Sequence, residues 1–167
     1  VYTLNGTPFL RRSLRTLRPK KYLDDEVINF TFELLRQRAE SMPQGKNPRC
    51  YFMNTHFYAK LAEGPNGFSY NDVKRWTKKV NLFEYDLVFV PIHKKAQLHW
   101  TLAVINVGKH RFEYHDSLGK KPNPGDRLKN LRRYLVEEAS TKKKEEEYTV
   151  DIKKWPLKVF QGKDQPK

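Results

Sequence analysis

The order of elements along this chain predicts an α+β fold. Two observations carry that reading. The N-terminal half reads as amphipathic helices, and the stretch after residue 85 reads as three consecutive strands. A helix and one more strand follow, so the expected architecture is helices packed on a mainly antiparallel sheet. Helices and strands do not alternate one by one, which excludes a doubly wound parallel sheet. The 167 residues suit one domain with a proper core, and 1–167 is read as a single domain.

The first helix is expected from Asp24 to about Met42. Asp24 suits the N-cap because its carboxylate can accept an orphan backbone N–H. Glu26 places negative charge in the first turn, where the helix dipole favours it. Val27, Ile28, Phe30, Leu34 and Leu35 supply its buried face. "RCYFMN" (Arg49–Asn54) reads as a short buried segment, and Asn54 as the cap of a second short helix in "THFYAKLAE". "GPNG" (Gly64–Gly67) is a turn. "SYNDVKRWTKKV" reads as a third helix starting near Asn71 or Asp72.

"DLVFVPI" (Asp86–Ile92) and "HWTLAVINV" (His99–Val107) are nearly all apolar, as in strands buried on both faces. "RFEYHDS" (Arg111–Ser117) alternates, as in a strand with one wet face. Gly108–Lys109 makes the tight connection between the last two. Leu128, Leu131, Tyr134 and Leu135 at helical spacing mark a helix from about Gly125 to Glu138. "TKKKEEE" reads as a charged loop or fraying helix end, and "WPLKVF" (Trp155–Phe160) as a further strand. "QGKDQPK" reads as loop. No partner element follows the last strand, so the domain reads as incomplete at its C-terminus.

Composition narrows the function classes. Hydrophobic residues at 38% and aromatics at 13% indicate a globular chain and not a disordered one. No apolar run approaches the ~18–20 residues that span a bilayer, and the first residues lack the order of a signal peptide. The single cysteine, Cys50, excludes an internal disulfide framework and a multi-cysteine zinc site. That fits a cytosolic or nuclear chain. The net charge of +14 draws acidic protein surfaces or polyanions. The charge is dispersed over many short runs, as on a solvated face, so nucleic acid is expected only as a secondary partner. His93, His99, His110 and His115 are not spaced as a ligand set, and neither a metal nor a cofactor is expected.

Chemistry-bearing residues concentrate in "HWTLAVINVGKHRFEYHDS". His99 starts one strand and Asp116 ends the adjacent one in a hairpin, so both lie at one end of the sheet, within reach of each other. An aspartate there can orient an imidazole and stabilise its charged form. Spacing alone favours ordinary turn chemistry, a strand-end histidine beside a turn aspartate. Cys50 reads as an inert small hydrophobe, Ser117 as a turn residue, Trp100 as core packing, and Tyr22 as a staple or rim aromatic.

The chain resembles the Ulp/SENP family of SUMO-specific cysteine proteases. The resemblance rests on "LRPKKYLDDEVINFTFELL" (Leu17–Leu35), "FMNTHFYAKL" (Phe52–Leu61), "VKRWTKKVNLFEYDLVFVPIH" (Val73–His93), "HWTLAVIN" (His99–Asn106) and "YHDSLG" (Tyr114–Gly119), in the family's order and spacing. It covers the chain from near Arg15 to the end. It implies a papain-like cysteine protease fold and a Cys-His-Asp triad, with a glutamine helping to form the oxyanion hole. By resemblance His99 is the general base and Asp116 its orienter. Trp100 and Tyr22 flank the Gly-Gly tail of SUMO, Tyr22 standing where the family has a second tryptophan. Asp25 and Arg75 match SUMO-contacting residues, and His56 stands where the family often has phenylalanine.

The family's glutamine and nucleophilic cysteine belong to a segment that follows the last strand. Pro166 and Lys167 match the start of that segment, while Gln161 and Gln165 fall too early to be its glutamine. The chain as given is therefore expected to lack the nucleophile and to be inactive by itself, the domain continuing beyond 167. The implied function is SUMO precursor processing and deSUMOylation by an isopeptidase. A protease for another ubiquitin-like protein, such as the neddylation modifier, and a catalytically dead SUMO-binding module are the alternatives. SUMO and its conjugates are the implied partners. A monomer is expected, at the nucleus or nuclear envelope, with the cytoplasm as the alternative.

Overall fold

The computed structural model describes residues 2–4, 6–42, 45, 47–118, 123–142 and 150–161. A five-stranded sheet forms the frame: β3 (Cys50–Phe52), β4 (Leu87–Lys94), β5 (His99–Asn106), β6 (Arg111–Asp116) and β7 (Leu157–Gln161), in that spatial order. The central strands β4, β5 and β6 pair antiparallel, whereas β3 and β7 join the two edges in parallel. The sheet is thus mixed, with an antiparallel centre. A hairpin of β1 (Tyr2–Leu4) and β2 (Thr7–Phe9) precedes it. The sequence reading did not foresee this hairpin, whose turn is formed by Gly6 at φ 78, a conformation glycine adopts without Cβ strain.

One face of the sheet carries the core. Val88, Val90 and Ile92 from β4, Ala103 and Ile105 from β5, and Phe112 and Tyr114 from β6 are buried there. They cluster with Phe57 and Leu61 of α2 (Phe57–Ala62) and with Leu128, Leu131 and Leu135 of α3 (Arg127–Thr141). Each Val, Leu, Ile or Phe among them contributes about 1.5–3 kcal/mol by leaving water. Both α3 and the short α4 (Val150–Ile152) lead the chain back to β7. No helix of the described residues is long and apolar enough to cross a membrane.

The other face is covered in part by α1 (Asp25–Ser41). Its start is as expected: the Asp24 carboxylate accepts the Val27 N–H at 2.9 Å. Its buried stripe is as expected at Val27 and Phe30 but not at the leucines. Leu34 and Leu35 stay 48% and 40% exposed. The packed residues are Val27, Phe30 stacked on Phe9 at 4.5 Å, and Phe32 against Phe52 at 5.1 Å. The helix is clamped between the N-terminal hairpin and β3, and the unforeseen hairpin selects the side that is buried.

Three further local expectations need correction. Asn54 does not cap α2: its side chain accepts the His56 N–H at 2.9 Å, building the turn before the helix, and His56 occupies the cap with no side-chain bond. The third helix is a 3-10 turn (Tyr70–Asp72) followed by more turns. Tyr70, Val73 and Thr77 are buried at helical spacing, but most of the backbone bonds there close over three residues, as from Trp76 to Val73 and from Val80 to Thr77. The wet face of strand β6 is interrupted: Arg111 and His115 stay partly exposed, but Glu113 between them is buried and accepts from Asn106 and Arg111, both at 2.7 Å. Most of "TKKKEEE" and residues 162–167, including Gln165, Pro166 and Lys167, lie outside the described residues.

Candidate active site

The register of the sheet brings three charged side chains to one corner. Lys94 and His99 are directly opposed across β4 and β5 and flank a four-residue loop. Leu102 opposes His115 across β5 and β6, so Asp116 falls beside Thr101, and His99 lies two residues along on the same face. The imidazole Nε2 of His99 is 2.8 Å from Oδ1 of Asp116. A carboxylate only accepts, so Nε2–H is the donor and Nδ1 is the unprotonated nitrogen. Among the described residues nothing bonds to Nδ1, which leaves it free to take a proton.

Asp116 is 1% exposed. Burial by itself raises its pKa, but three donors outweigh that effect and hold the carboxyl below its ordinary range. They are the His99 ring, the Leu118 backbone N–H at 3.1 Å on Oδ1, and the Lys94 ammonium at 3.2 Å on Oδ2. Lys94 went unnoticed in the sequence. The only signal for it was its place as the mirror position of His99 across the loop, which needs the register.

Trp100 is on the opposite face of the strand. Its indole N–H donates to the Leu23 carbonyl at 2.8 Å, and its ring stacks on His93 at 4.5 Å. It is therefore a tethered rim residue and not core packing. Leu23 and Trp100 together separate two clefts. One, of about 410 Å³, is lined by Asp25, Thr55, His56, Tyr58 and His93 besides that pair. Within it His56 Nε2 lies 3.5 Å from an Asp25 carboxylate oxygen. The other, of about 440 Å³, is mainly apolar, with Phe32, Pro91, Leu102 and His115 in its wall.

The structure thus brings together His99 with Asp116, and Trp100 with Asp25 and His56. Tyr22 is 67% exposed beside Leu23 and lines neither cleft. Arg75 is exposed in the turns after Val73 and also lines neither.

Cys50 sits at the far end of the sheet. It pairs with Leu87, the first residue of β4, whereas His99 pairs with Lys94, the last. Seven residues of strand separate the two positions by roughly 23 Å. The Cys50 thiol donates to the Pro48 carbonyl at 3.4 Å. Burial, and then the Asp86 charge, push it away from the thiolate form. It is neither near the imidazole nor activated.

Such an arrangement can abstract a proton at Nδ1 of His99 and hold the resulting imidazolium against Asp116. A family model described as the Ulp1 protease family, C-terminal catalytic domain, matches residues 21–164. Ubiquitin-like-specific protease 1A of Arabidopsis thaliana is 40% identical over 153 residues, which is 89% of this chain and 29% of that protein. Sentrin-specific protease 2 of Mus musculus is 44% identical over 134 residues, 80% of this chain and 21% of that protein. The chain therefore spans less than a third of either relative. The X-ray structure of the C-terminal Ulp1 protease domain in complex with Smt3, the yeast orthologue of SUMO, superimposes with a TM-score of 0.68 at 28% identity, covering 90% of this chain and 60% of that one. The chain belongs to the Ulp1 protease family, a family of cysteine peptidases with the papain-like α+β fold.

Proposed function

We propose that this Ulp1-family chain is the base-bearing part of a SUMO-specific cysteine protease that cleaves after the C-terminal Gly-Gly of SUMO, in precursors and in isopeptide conjugates. The observation that supports this best is the His99–Asp116 pair: a carboxylate with three donors on it, and an imidazole whose free nitrogen faces away from it. A thiol near pKa 8.5 is only a few per cent ionised at neutral pH. His99 Nδ1 takes its proton, and Asp116 stabilises the imidazolium that forms. The thiolate attacks the terminal glycine carbonyl. Nδ1–H then protonates the leaving lysine amine, and water, deprotonated by the same nitrogen, hydrolyses the thioester. Backbone N–H groups and the family's glutamine would stabilise the oxyanion. The reading places the thiol and that glutamine outside these 167 residues, since Cys50 pairs with the end of β4 opposite to the one that the base pairs with.

The rim supports the same substrate. Trp100, with Tyr22 next to its tether Leu23, offers flat aromatic surface for a tail without side chains, and Asp25 with His56 lines the adjoining cleft. Arg75 is proposed as a separate contact with SUMO.

Reporter fusions of SUMO, the neddylation modifier and ubiquitin, given to the full-length protein, test this. We expect the SUMO reporter to be cleaved at least tenfold faster in kcat/KM than either other. Preferential turnover of another modifier overturns the assignment.

A further inference from the structure

Asp116 carries two oxygens, and the structure treats them differently. Oδ1 receives the His99 imidazole and the Leu118 backbone N–H, while among the described residues Oδ2 receives only the Lys94 ammonium, at 3.2 Å. The terminal torsion of an aspartate is broad and roughly two-fold, so it does not by itself fix which oxygen faces the imidazole. Lys94 is 18% exposed at its side chain against 2% for Asp116, so this ion pair is largely out of water. Its neighbour Lys95 makes the contrast: its side chain is 69% exposed and reaches Glu63 at 3.5 Å, away from the corner.

The backbone reinforces the point. Lys94 and His99 are the two residues that flank the loop Lys95–Leu98, and both ends of that hairpin close on a single carboxylate. The loop contains a 3-10 turn and ends with Leu98 in the left-handed region at φ 48. For a branched-chain residue such a conformation persists only where the surroundings over-determine it. Two charge-assisted bonds at the base of the loop, one from each end, supply that constraint.

We propose that Lys94 is a positioning residue for the His99–Asp116 pair, holding Oδ2 so that Oδ1 stays turned to the imidazole Nε2–H. Its ammonium is bonded to Asp116, through which it acts. Remove it and Oδ2 becomes a buried acceptor without a partner, which the carboxylate relieves by rotating or by taking up a proton. Either response weakens the bond that keeps the imidazole aimed. An arginine, longer and with several donors, can reach the same oxygen; a methionine fills the space and donates nothing.

The activity arm of this inference rests on the proposed protease function; the spectroscopic arm does not. With 15N-histidine labelling of the full-length protein, the His99 Nε2–H should appear as a low-field proton in slow exchange with water. In Lys94→Met its exchange should accelerate at least tenfold at a temperature where circular dichroism shows both proteins folded. Lys94→Arg should restore slow exchange. Cleavage of a SUMO reporter should follow, with kcat down about tenfold in Lys94→Met and KM within twofold of wild type, as expected for a group acting on the chemistry and not on binding. If Lys94→Met fails to fold, Lys94→Leu, which also donates nothing, carries the same comparison. Unchanged exchange in the variant overturns the proposal, as does a loss that arginine fails to restore. A protein that cleaves nothing yet shows the exchange effect would sink the protease reading and leave Lys94 standing; cleavage with no exchange effect does the reverse.

Discussion

Two buried carboxylates in this molecule make an informative pair. Asp116 is 1% exposed and Glu138 is 0% exposed. Asp116 sits at the open end of the sheet and takes three donors, one of them a cation. Glu138 sits on α3 and takes one neutral donor, the Tyr70 hydroxyl at 2.7 Å, while its Oε1 has no partner among the described residues. The consequences differ. Around Asp116 the donors outweigh burial and the carboxyl is held below its usual range. Around Glu138 the effect is on the neighbour: burial first, with the Glu138 charge adding to it, pushes the Tyr70 phenol up to about 12. Burial of an acid therefore does not mark a reactive site. What distinguishes Asp116 is a set of donors that turns it to an imidazole; Glu138 ties α3 to the 3-10 turn at Tyr70.

Replacement of each acid separates the two roles. Asp116→Ala should have the larger effect. It should lower cleavage by the full-length protein about 10³–10⁴-fold, because the imidazole loses its orientation and its counter-charge. It should also cost about 3 kcal/mol of stability by leaving Lys94 unpaired. The sign with pH follows from the lowered carboxyl. Its stabilising contribution is complete above the ordinary aspartate range near pH 4 and is lost as pH falls through the folded value. Denaturation from pH 5 downward should therefore be less steep in the variant than in wild type, and an equal slope would break the linkage. Glu138→Gln should have the smaller effect. The amide oxygen can still accept from Tyr70, so stability should move by less than about 1 kcal/mol and cleavage by less than twofold. A large loss of activity there would erase the contrast.

The corner around Asp116 shows what could be read from the sequence. His99 and Asp116 were legible because a hairpin with a short connection forces the start of one strand beside the end of the next. Their proximity needed only strand period and connection length; their roles as base and orienter came from the family resemblance. Lys94 was hidden, since one lysine among many carries no pattern; only the β4–β5 register sets it opposite His99. Trp100 read as core because tryptophan is usually buried, and its tether to a backbone carbonyl 77 residues earlier in the chain is invisible locally. The leucines of α1 were misassigned for a related reason. Helical spacing shows that an apolar stripe exists, but the hairpin at the N-terminus selects which side is covered. The burial of Glu113 within β6 was lost the same way, its partners Asn106 and Arg111 being cross-strand or two residues off.

The central claim is that His99 serves as the base for a thiol that is not Cys50. The most direct test measures kcat/KM on a SUMO reporter for two variants of the full-length protein, His99→Ala and Cys50→Ser, with SUMO binding measured alongside. The account predicts that His99→Ala abolishes turnover and still binds SUMO, while Cys50→Ser, at the far end of β4 from the base, stays within twofold of wild type. Turnover retained without His99, or lost with Cys50→Ser, would contradict it.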